Sequence, residues 1–521
     1  MYPGRVGPDL SSGEGVSQQH EGGKITVTVE RNPWHVLGAL LVGFSLILLD
    51  MSVVAVANPA IMESLEADVS EVVWVTSAYL LTYAAPLLFT GRLGDRFGPK
   101  NVYLVGLVVF TLASLWCGVA GSIDMLIAAR AVQGLGAALM TPQTMAVVTR
   151  IFPADKRGAA MGAWGGSAGV ALLVGPVIGG LLVDSAGWEW IFLINVPIGV
   201  LAFVLAWKMV PALETRPHKF DVPGIVLSCG GMFLLVFGLQ EGNNKDWSAS
   251  IWLMIGAGLA VLAMFVVTQA LNKGEPLLML SLFRDRNFAL ANVGIAAMGA
   301  AVTAMTVPTY FYLQGVRGLT SMESALIFAP LAILTGICAP FVGKLSDTMH
   351  PRTFTTTGFV LFGLTIFAYS ELMKPDSHLW MFSATAAVTG IGNGMVWGPL
   401  GAIATRNLPV HQSGAGSGVY NTNRQVGAVL GSAAVGALFV DRLDAHLPGI
   451  GGGGGHVEGS VTAIPETFKE PYSTALSETG LLPIAFLVLG ALACTLFIRF
   501  PSQGTQKDGE GVAMQTADDA R

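Results

Sequence analysis

Asp50 and Arg130 are ionisable residues in places where the surrounding sequence offers no water. Asp50 interrupts LILLDMSVV at 46–54, inside an apolar stretch from about Val36 to Ile61, and Arg130 opens RAVQGLGAA inside another. A charge held in hydrocarbon costs roughly 2.5–3.5 kcal/mol even on lenient insertion scales, so each needs a partner or a purpose. At ~1.5 Å of helix rise per residue, Asp50 lies roughly 15 Å and Arg130 about 10 Å from the same membrane face, so the two can meet. Burial favours the neutral form of a carboxyl, and a neighbouring guanidinium favours the ionised form. A carboxyl whose contact with Arg130 differs between two conformations therefore takes up and releases a proton in turn. The alternative is an ion pair that only fixes helix register. Arg424, in NTNRQVGAV, is another buried charge with no evident acidic partner among the apolar segments. It can serve a carbonyl cluster, a substrate or an anionic ligand.

The elements that carry these residues read as membrane spans. Of 521 residues, 52% are hydrophobic and 12% charged, against about 25% charged in soluble domains. Apolar runs long enough to cross ~30 Å of hydrocarbon are expected near 35–58, 71–91, 102–120, 124–148, 158–183, 189–210, 222–240, 250–271, 288–314, 323–344, 354–373, 379–405, 415–439 and 479–499. The fold class expected is an all-α polytopic membrane protein with 14 transmembrane helices. The polar, glycine-rich opening segment lacks the apolar core of a cleavable signal peptide, so the first span is expected to act as the insertion signal too. Cys117, Cys229, Cys338 and Cys494 each fall alone in a span and read as small apolar residues rather than a disulfide or metal set.

Basic residues orient the chain. Alternate loops hold Arg92, Arg96 and Lys100, then Arg150, Lys156 and Arg157, then Lys208, Arg216 and Lys219, and onward to Lys273, Arg284, Arg286, Lys344, Arg352 and Arg406. The intervening loops hold only Lys245, Arg317, Lys374, Arg442 and Lys469. The positive-inside rule places the first set, and with it both termini, in the cytoplasm.

The sequence also repeats itself. TRIFPADKRGAAMG at 149–162 and TRNLPVHQSGAGSG at 405–418 share Thr-Arg, Pro, Gly-Ala and Gly at identical spacing. GRLGD at 91–95 is echoed by GKLSD at 343–347, and GLG at 134–136 with Pro142 by GNG at 392–394 with Pro399. Two parallel halves with two helices inserted between them follow, and the site of such a design lies between the halves at mid-depth. The expected organisation is a cytoplasmic tail 1–33, a six-helix half 34–211, inserted helices 7 and 8 at 212–275, a six-helix half 276–500 with an outer loop 440–478, and a cytoplasmic tail 501–521. IGGGGGH at 450–456 in that loop reads as a flexible linker.

In the loop GRLGDRFGPK at 91–100, Gly91 and Gly94 permit close helix approach and Gly98-Pro99 makes a turn. Asp95 can hold a helix N-terminus or an arginine across the gap between halves, beside Arg96 and Lys100. GVALLVGPVIGG carries Gly175, Pro176, Gly179 and Gly180, a small-residue packing face with a kink site.

With these motifs in order, the sequence resembles the major facilitator superfamily, in particular its fourteen-span drug:proton antiporter branch, over roughly residues 35–500. GRLGDRFGPK matches the family's conformational-switch loop, Arg130, Gln133, Gly134 and Gly136 its span 4 motif, and Gly175, Pro176, Gly179 and Gly180 its antiporter motif, whose usual leading glycine is Ala171 here. LLDMSVVAVANPA matches the span 1 motif at Asp50, Val53, Val54 and Pro59 and departs from it at Ala55 and Asn58; Glu189 stands where arginine is common. The resemblance implies a transporter rather than an enzyme, with Asp50 and Arg130 in proton coupling, protons as coupling ion and no other cofactor. It also implies a multi-pass protein of the bacterial cytoplasmic membrane, working as a monomer on small amphipathic substrates by alternating access.

The architecture that the resemblance implies lines the cavity with spans 1, 4, 9 and 12, and the candidate cavity residues are Tyr79, Gln133, Tyr310, Gln314, Asn393, Trp397 and Arg424, a set whose aromatic walls with a few amides suit a flat amphipathic ligand. The second half places no acid deep in a span, which argues against dications and favours monocationic, neutral or zwitterionic substrates. No phosphate loop of an ATPase and no catalytic constellation occurs. Export of an endogenous antibiotic, siderophore or lipid is the main alternative; a membrane receptor or scaffold and an uptake permease are others.

Overall fold

A computed structural model describes residues 16–21, 24–29 and 32–498, the last without 68, 154–155, 214, 216–220, 243–244, 246, 273, 350, 410–411 and 448–465. A short antiparallel hairpin, β1 (Val16–Glu21) with β2 (Lys24–Val29), precedes the helices. It falls where the sequence suggested only a polar tail; the alternating, β-branched ITVTV of 25–29 is the signal passed over.

The first half contains α1 (Pro33–Ser64), α2 (Val69–Ala84), α3 (Leu87–Phe97), α4 (Pro99–Gly118), α5 (Ile123–Ile151), α6 (Arg157–Ala186), α7 (Trp190–Leu193) and α8 (Asn195–Met209). The inserted pair is α9 (Val222–Glu241) and α10 (Ala249–Leu271). The second half contains α11 (Arg286–Phe311), α12 (Ser321–Ile327), α13 (Ala329–Thr348), α14 (Pro351–Leu372), α15 (Leu379–Arg406), α16 (Ser413–His446), α17 (Glu466–Thr479) and α18 (Leu482–Thr495). Among the described residues, eleven helices are long and apolar enough to cross a membrane, or up to twelve if the pair α2–α3, bent by 48°, is one span. Two further helices, α6 and α15, of 30 and 28 residues, stand outside that count.

Helix ends follow local chemistry. Asn32, Ser122, Asp221 and Asp285 each accept a hydrogen bond from a first-turn backbone N–H, and Thr320 with Glu323 forms a reciprocal capping box. Gly98, at φ +86°, makes the reversal between α3 and α4 that its lack of a Cβ permits.

Several expected boundaries change. The span expected at 189–210 is broken at Ile194 into α7 and α8. That expected at 288–314 passes Pro308 and ends in a π-helical turn, Tyr312–Val316. The outer loop expected at 440–478 is shorter, because α16 runs to His446 and α17 begins at Glu466. The sequence of α17 is polar on average, yet it buries Tyr472, Ala475, Leu476 and Thr479 on one face, and a search for continuous apolar runs misses such a helix. The glycine run at 450–456 lies outside the described residues.

Within the first half, α4 packs on α5, α2 on α5, and α1 on α6 and α8; within the second, α11 packs on α16 and α18, and α15 on α13 and α14. The halves meet along two seams, α6 with α13 and α15, and α16 with α3 and α5. The inserted helices pair with each other, and α9 leans on α2 and α16.

Candidate functional site

Asp50 is buried inside the first half, 1% exposed, with its carboxylate 2.5 Å from an Arg130 nitrogen that is itself fully buried. Its other oxygen accepts from the side-chain amides of Gln133 at 2.9 Å and Asn195 at 3.1 Å. Both amides also donate to Ser114 Oγ, whose hydroxyl donates to the Phe192 carbonyl. Arg130 donates further to Gln133 Oε1 and to the Val75 carbonyl, and its guanidinium stacks 4.2 Å from the Tyr79 ring. A buried ion pair is stable only with its remaining donors and acceptors satisfied, and this cluster does most of that from α1, α2, α4, α5, α7 and α8. Among the described residues, one Arg130 nitrogen, the Tyr79 hydroxyl and Asn195 Oδ1 stay unpartnered.

Helix α6 backs this cluster through the glycine motif. A Cβ added to Gly175 would run into Ser52, and one on Gly179 would touch Val53 at 3.0 Å, so the two glycines seat α6 on the turn of α1 that carries Asp50. Gly180 faces open space. The side chain of Pro176 lies outside the described residues, as does that of Pro59.

At the end of the bundle that carries the basic loops, the halves are latched. Asp95 is 1% exposed and bonds Arg150 at 2.7 Å, and it accepts from the backbone N–H groups of Gly414 and Ala415 in the first turn of α16, each at 3.0 Å. It thus meets both an arginine and the positive end of a helix. Arg150 also donates to Ser413 Oγ. The backbone of Gly91 lies against Gly414 and Gly418 so closely that a Cβ there would strike the Gly414 carbonyl; Gly94 lies as tightly against Gln143. Arg157 crosses to the Thr405 carbonyl, Lys100 bonds the Trp207 carbonyl, and Arg96 stacks 5.3 Å from Phe97. Arg92 donates to the carbonyls of Pro276 and Leu277 and so ties the loop after α10 to this motif.

Between the halves lies a cavity of about 680 Å³. Trp164 and Trp397 form its wall nearest the latch, where Gly165 gives Trp397 room. From there it extends toward the opposite end of the bundle past Arg424, Gln425, Thr303, Gln240 and Asn58. Asp50 does not line it, although its neighbour Met51 does. Of the residues expected in the cavity, Trp397 and Arg424 line it. Asn393 accepts from Trp397 Nε1 at 2.6 Å and so fixes that ring. Tyr79 and Gln133 belong instead to the Asp50 cluster. Tyr310 stacks on Phe328, and Gln314 falls in the π-helical turn; neither lines the cavity.

The model of the Major Facilitator Superfamily matches residues 40–432. The chain belongs to the major facilitator superfamily. It is 48% identical over 482 residues to the uncharacterized MFS-type transporter Rv1250 of Mycobacterium tuberculosis, covering 92% of this chain and 83% of that one. It is 34% identical over 431 residues to the tetracenomycin C resistance and export protein of Streptomyces glaucescens, covering 80% of each. It is 32% identical over 410 residues to the multidrug resistance protein Stp of Mycobacterium tuberculosis, covering 78% of this chain and 75% of that one. Among solved structures, the human organic anion transporter MFSD10 (TETRAN) superposes with a TM-score of 0.57 at 13% identity, over 88% of this chain and all of that one, a likeness of fold. The protein is therefore a multi-pass membrane transporter of the superfamily.

Three groups of this major facilitator chain escaped the sequence reading. Asn195 and Ser114 complete the Asp50 cluster, and each is an uncharged polar residue within a largely apolar span. Tyr83, from α2, accepts from Arg424 at 3.0 Å and bonds Thr141. Asn58, where the superfamily motif usually has leucine, lines the cavity with its Oδ1 unpartnered.

Proposed function

We propose that this chain is a proton-coupled exporter of amphipathic drugs or antibiotics, a monomer of fourteen spans with both termini in the cytoplasm of a bacterium. α6 and α15, added to the twelve apolar spans, make up the fourteen, and the basic end of the bundle is the cytoplasmic end. The arrangement described is then the outward-facing one: the latch closes the cytoplasmic side while the cavity extends toward the other. The observation that carries the reading is the Asp50–Arg130 pair, buried on α1 directly beside Met51 of the cavity wall. Protonation of Asp50 removes its charge, releases Arg130 and its amides to rearrange, and so changes how α1 packs. One proton descending ~100 mV supplies about 2.3 kcal/mol, and each pH unit adds about 1.4. Together these support a substrate gradient of roughly a few hundred-fold.

The test is dye efflux from proteoliposomes under an imposed proton gradient, wild type against Asp50→Asn. Gradient-driven efflux, lost in the variant while dye binding persists, is expected. Equal efflux from both would reduce the pair to a structural one. The names of relatives, among them a tetracenomycin C resistance and export protein and a probable actinorhodin transporter, support a second reading, a dedicated exporter of an endogenous antibiotic. Efflux of such a compound with indifference to unrelated dyes would favour it.

A further inference from the structure

Arg424 stands on the wall of the cavity without a counterion. It makes no ion pair among the described residues, and no carboxylate is among those that line the cavity. A guanidinium carries five N–H donors. Among the described residues it makes one hydrogen bond, to Tyr83 through a single nitrogen, and its buried Nε–H finds no partner. Asp50 cannot serve it, being turned to the other side of α1 and committed to Arg130, Gln133 and Asn195. A cation held at the edge of an apolar chamber, with donors to spare, is complete only when a ligand supplies acceptor oxygens.

From this we infer that the cavity takes amphipathic organic anions, with the carboxylate, enolate or phenolate of the ligand on Arg424 and its aromatic body between Trp164 and Trp397. The Arg424 guanidinium lies 6.0 Å from the Trp164 ring, so the acid group and the ring system of one molecule can occupy both. Asn58 and Gln425 add amides that can turn either face to a ligand hydroxyl or carbonyl. The inference revises the cationic, neutral or zwitterionic preference drawn from the scarcity of acids. That scarcity says which ligands are not attracted, and Arg424 says which are. It rests on the cavity being the substrate site of the proposed exporter.

The experiment uses purified protein in nanodiscs and three ligands of one shape: anthracene-9-carboxylate, anthracene-9-carboxamide and 9-(aminomethyl)anthracene. Quenching of tryptophan fluorescence reads binding. The carboxylate is expected to bind about ten- to a hundredfold more tightly than the amide, the range for a charge-assisted bond, and the amine most weakly. Arg424→Gln removes the carboxylate-over-amide preference, while Arg424→Lys retains part of it. In proteoliposomes at equal pH on both sides, an inside-negative potential accelerates carboxylate export, because an inward proton and an outward anion move charge in the same sense. It leaves amine export unchanged, since that exchange is electroneutral at one proton. Tighter binding of the amine, an unchanged preference in Arg424→Gln, or binding of none of the three by folded protein each overturns the inference. Carboxylate preference in binding without any gradient-driven transport strikes the exporter reading alone.

Discussion

Replacing Asp95 by asparagine should unlatch the basic end of the bundle. The carboxylate accepts from Arg150 at 2.7 Å and from two backbone N–H groups of α16 at 3.0 Å, with Asp95 1% and Arg150 6% exposed. Asparagine keeps the shape but has one acceptor oxygen and no charge, and its NH2 group must face a donor. The bond to Arg150 lies within the first half, between α3 and α5, and only the two from Gly414 and Ala415 join α3 to α16. Losing charge assistance on those two at about 1 kcal/mol each gives about 2 kcal/mol, and it falls on the state in which the halves are closed here. At 1.4 kcal/mol per decade, the ratio of closed to open molecules falls roughly thirtyfold. Spin labels at Phe97 and Asn407, exposed positions on α3 and just after α15, report the separation of the halves in a cysteine-free background. Wild type should give one dominant short distance and Asp95→Asn a large longer component. Arg150→Gln should do much the same, with little added in the double variant, because the two residues act as one pair. An unchanged distance distribution in Asp95→Asn would refute the argument that this carboxylate holds the halves together.

Two further outcomes test the scaffold. Gly175→Val should destabilise the protein by about 1–3 kcal/mol by forcing α6 off Ser52, whereas Gly180→Val, facing open space, should leave the thermal midpoint nearly unchanged. Asp221 caps α9; burial alone pushes its carboxyl up, but bonds from Gln269 and from the N–H groups of Gly224 and Leu277 hold it below the usual carboxylate range. A carboxyl lowered by folding contributes stability above its unfolded value of about 3.9 and loses it as pH falls through the folded value. Thermal unfolding between pH 2 and 6 should therefore show an acid-side loss that Asp221→Asn lacks.

Much of this was legible in the sequence because hydrocarbon constrains it so strongly. Continuous apolar runs located most helices, and the cost of a charge among them singled out Asp50 and Arg130 before any distance was known. What stayed hidden was direction. A helix that is apolar all round carries little 3.6-residue signal, so nothing in LILLDMSVV says whether Asp50 faces the cavity or the bundle interior. The same ambiguity put Tyr79 and Gln133 on the cavity wall, when both turn toward Arg130. Asn195 and Ser114 went unnoticed because one polar side chain in a span is cheap if it meets another, and the meeting is a tertiary fact. The second half of the latch was half visible: Asp95 invited a helix N-terminus, but only the packing of α16 on α3 says which one.

The inserted pair has a consequence for where cargo can leave. α9 rests against both α2 and α16, one element from each half, and its Leu239 and Gln240, at the end away from the basic loops, form part of the cavity wall. It acts as a gasket along that flank. In the proposed exporter, a molecule let go in this arrangement meets a closed seam there, and its exit is along the bundle axis instead of sideways into lipid. Deleting α9 and α10 would open that flank to the bilayer, so the insertion bears on whether cargo is delivered to water or to the membrane.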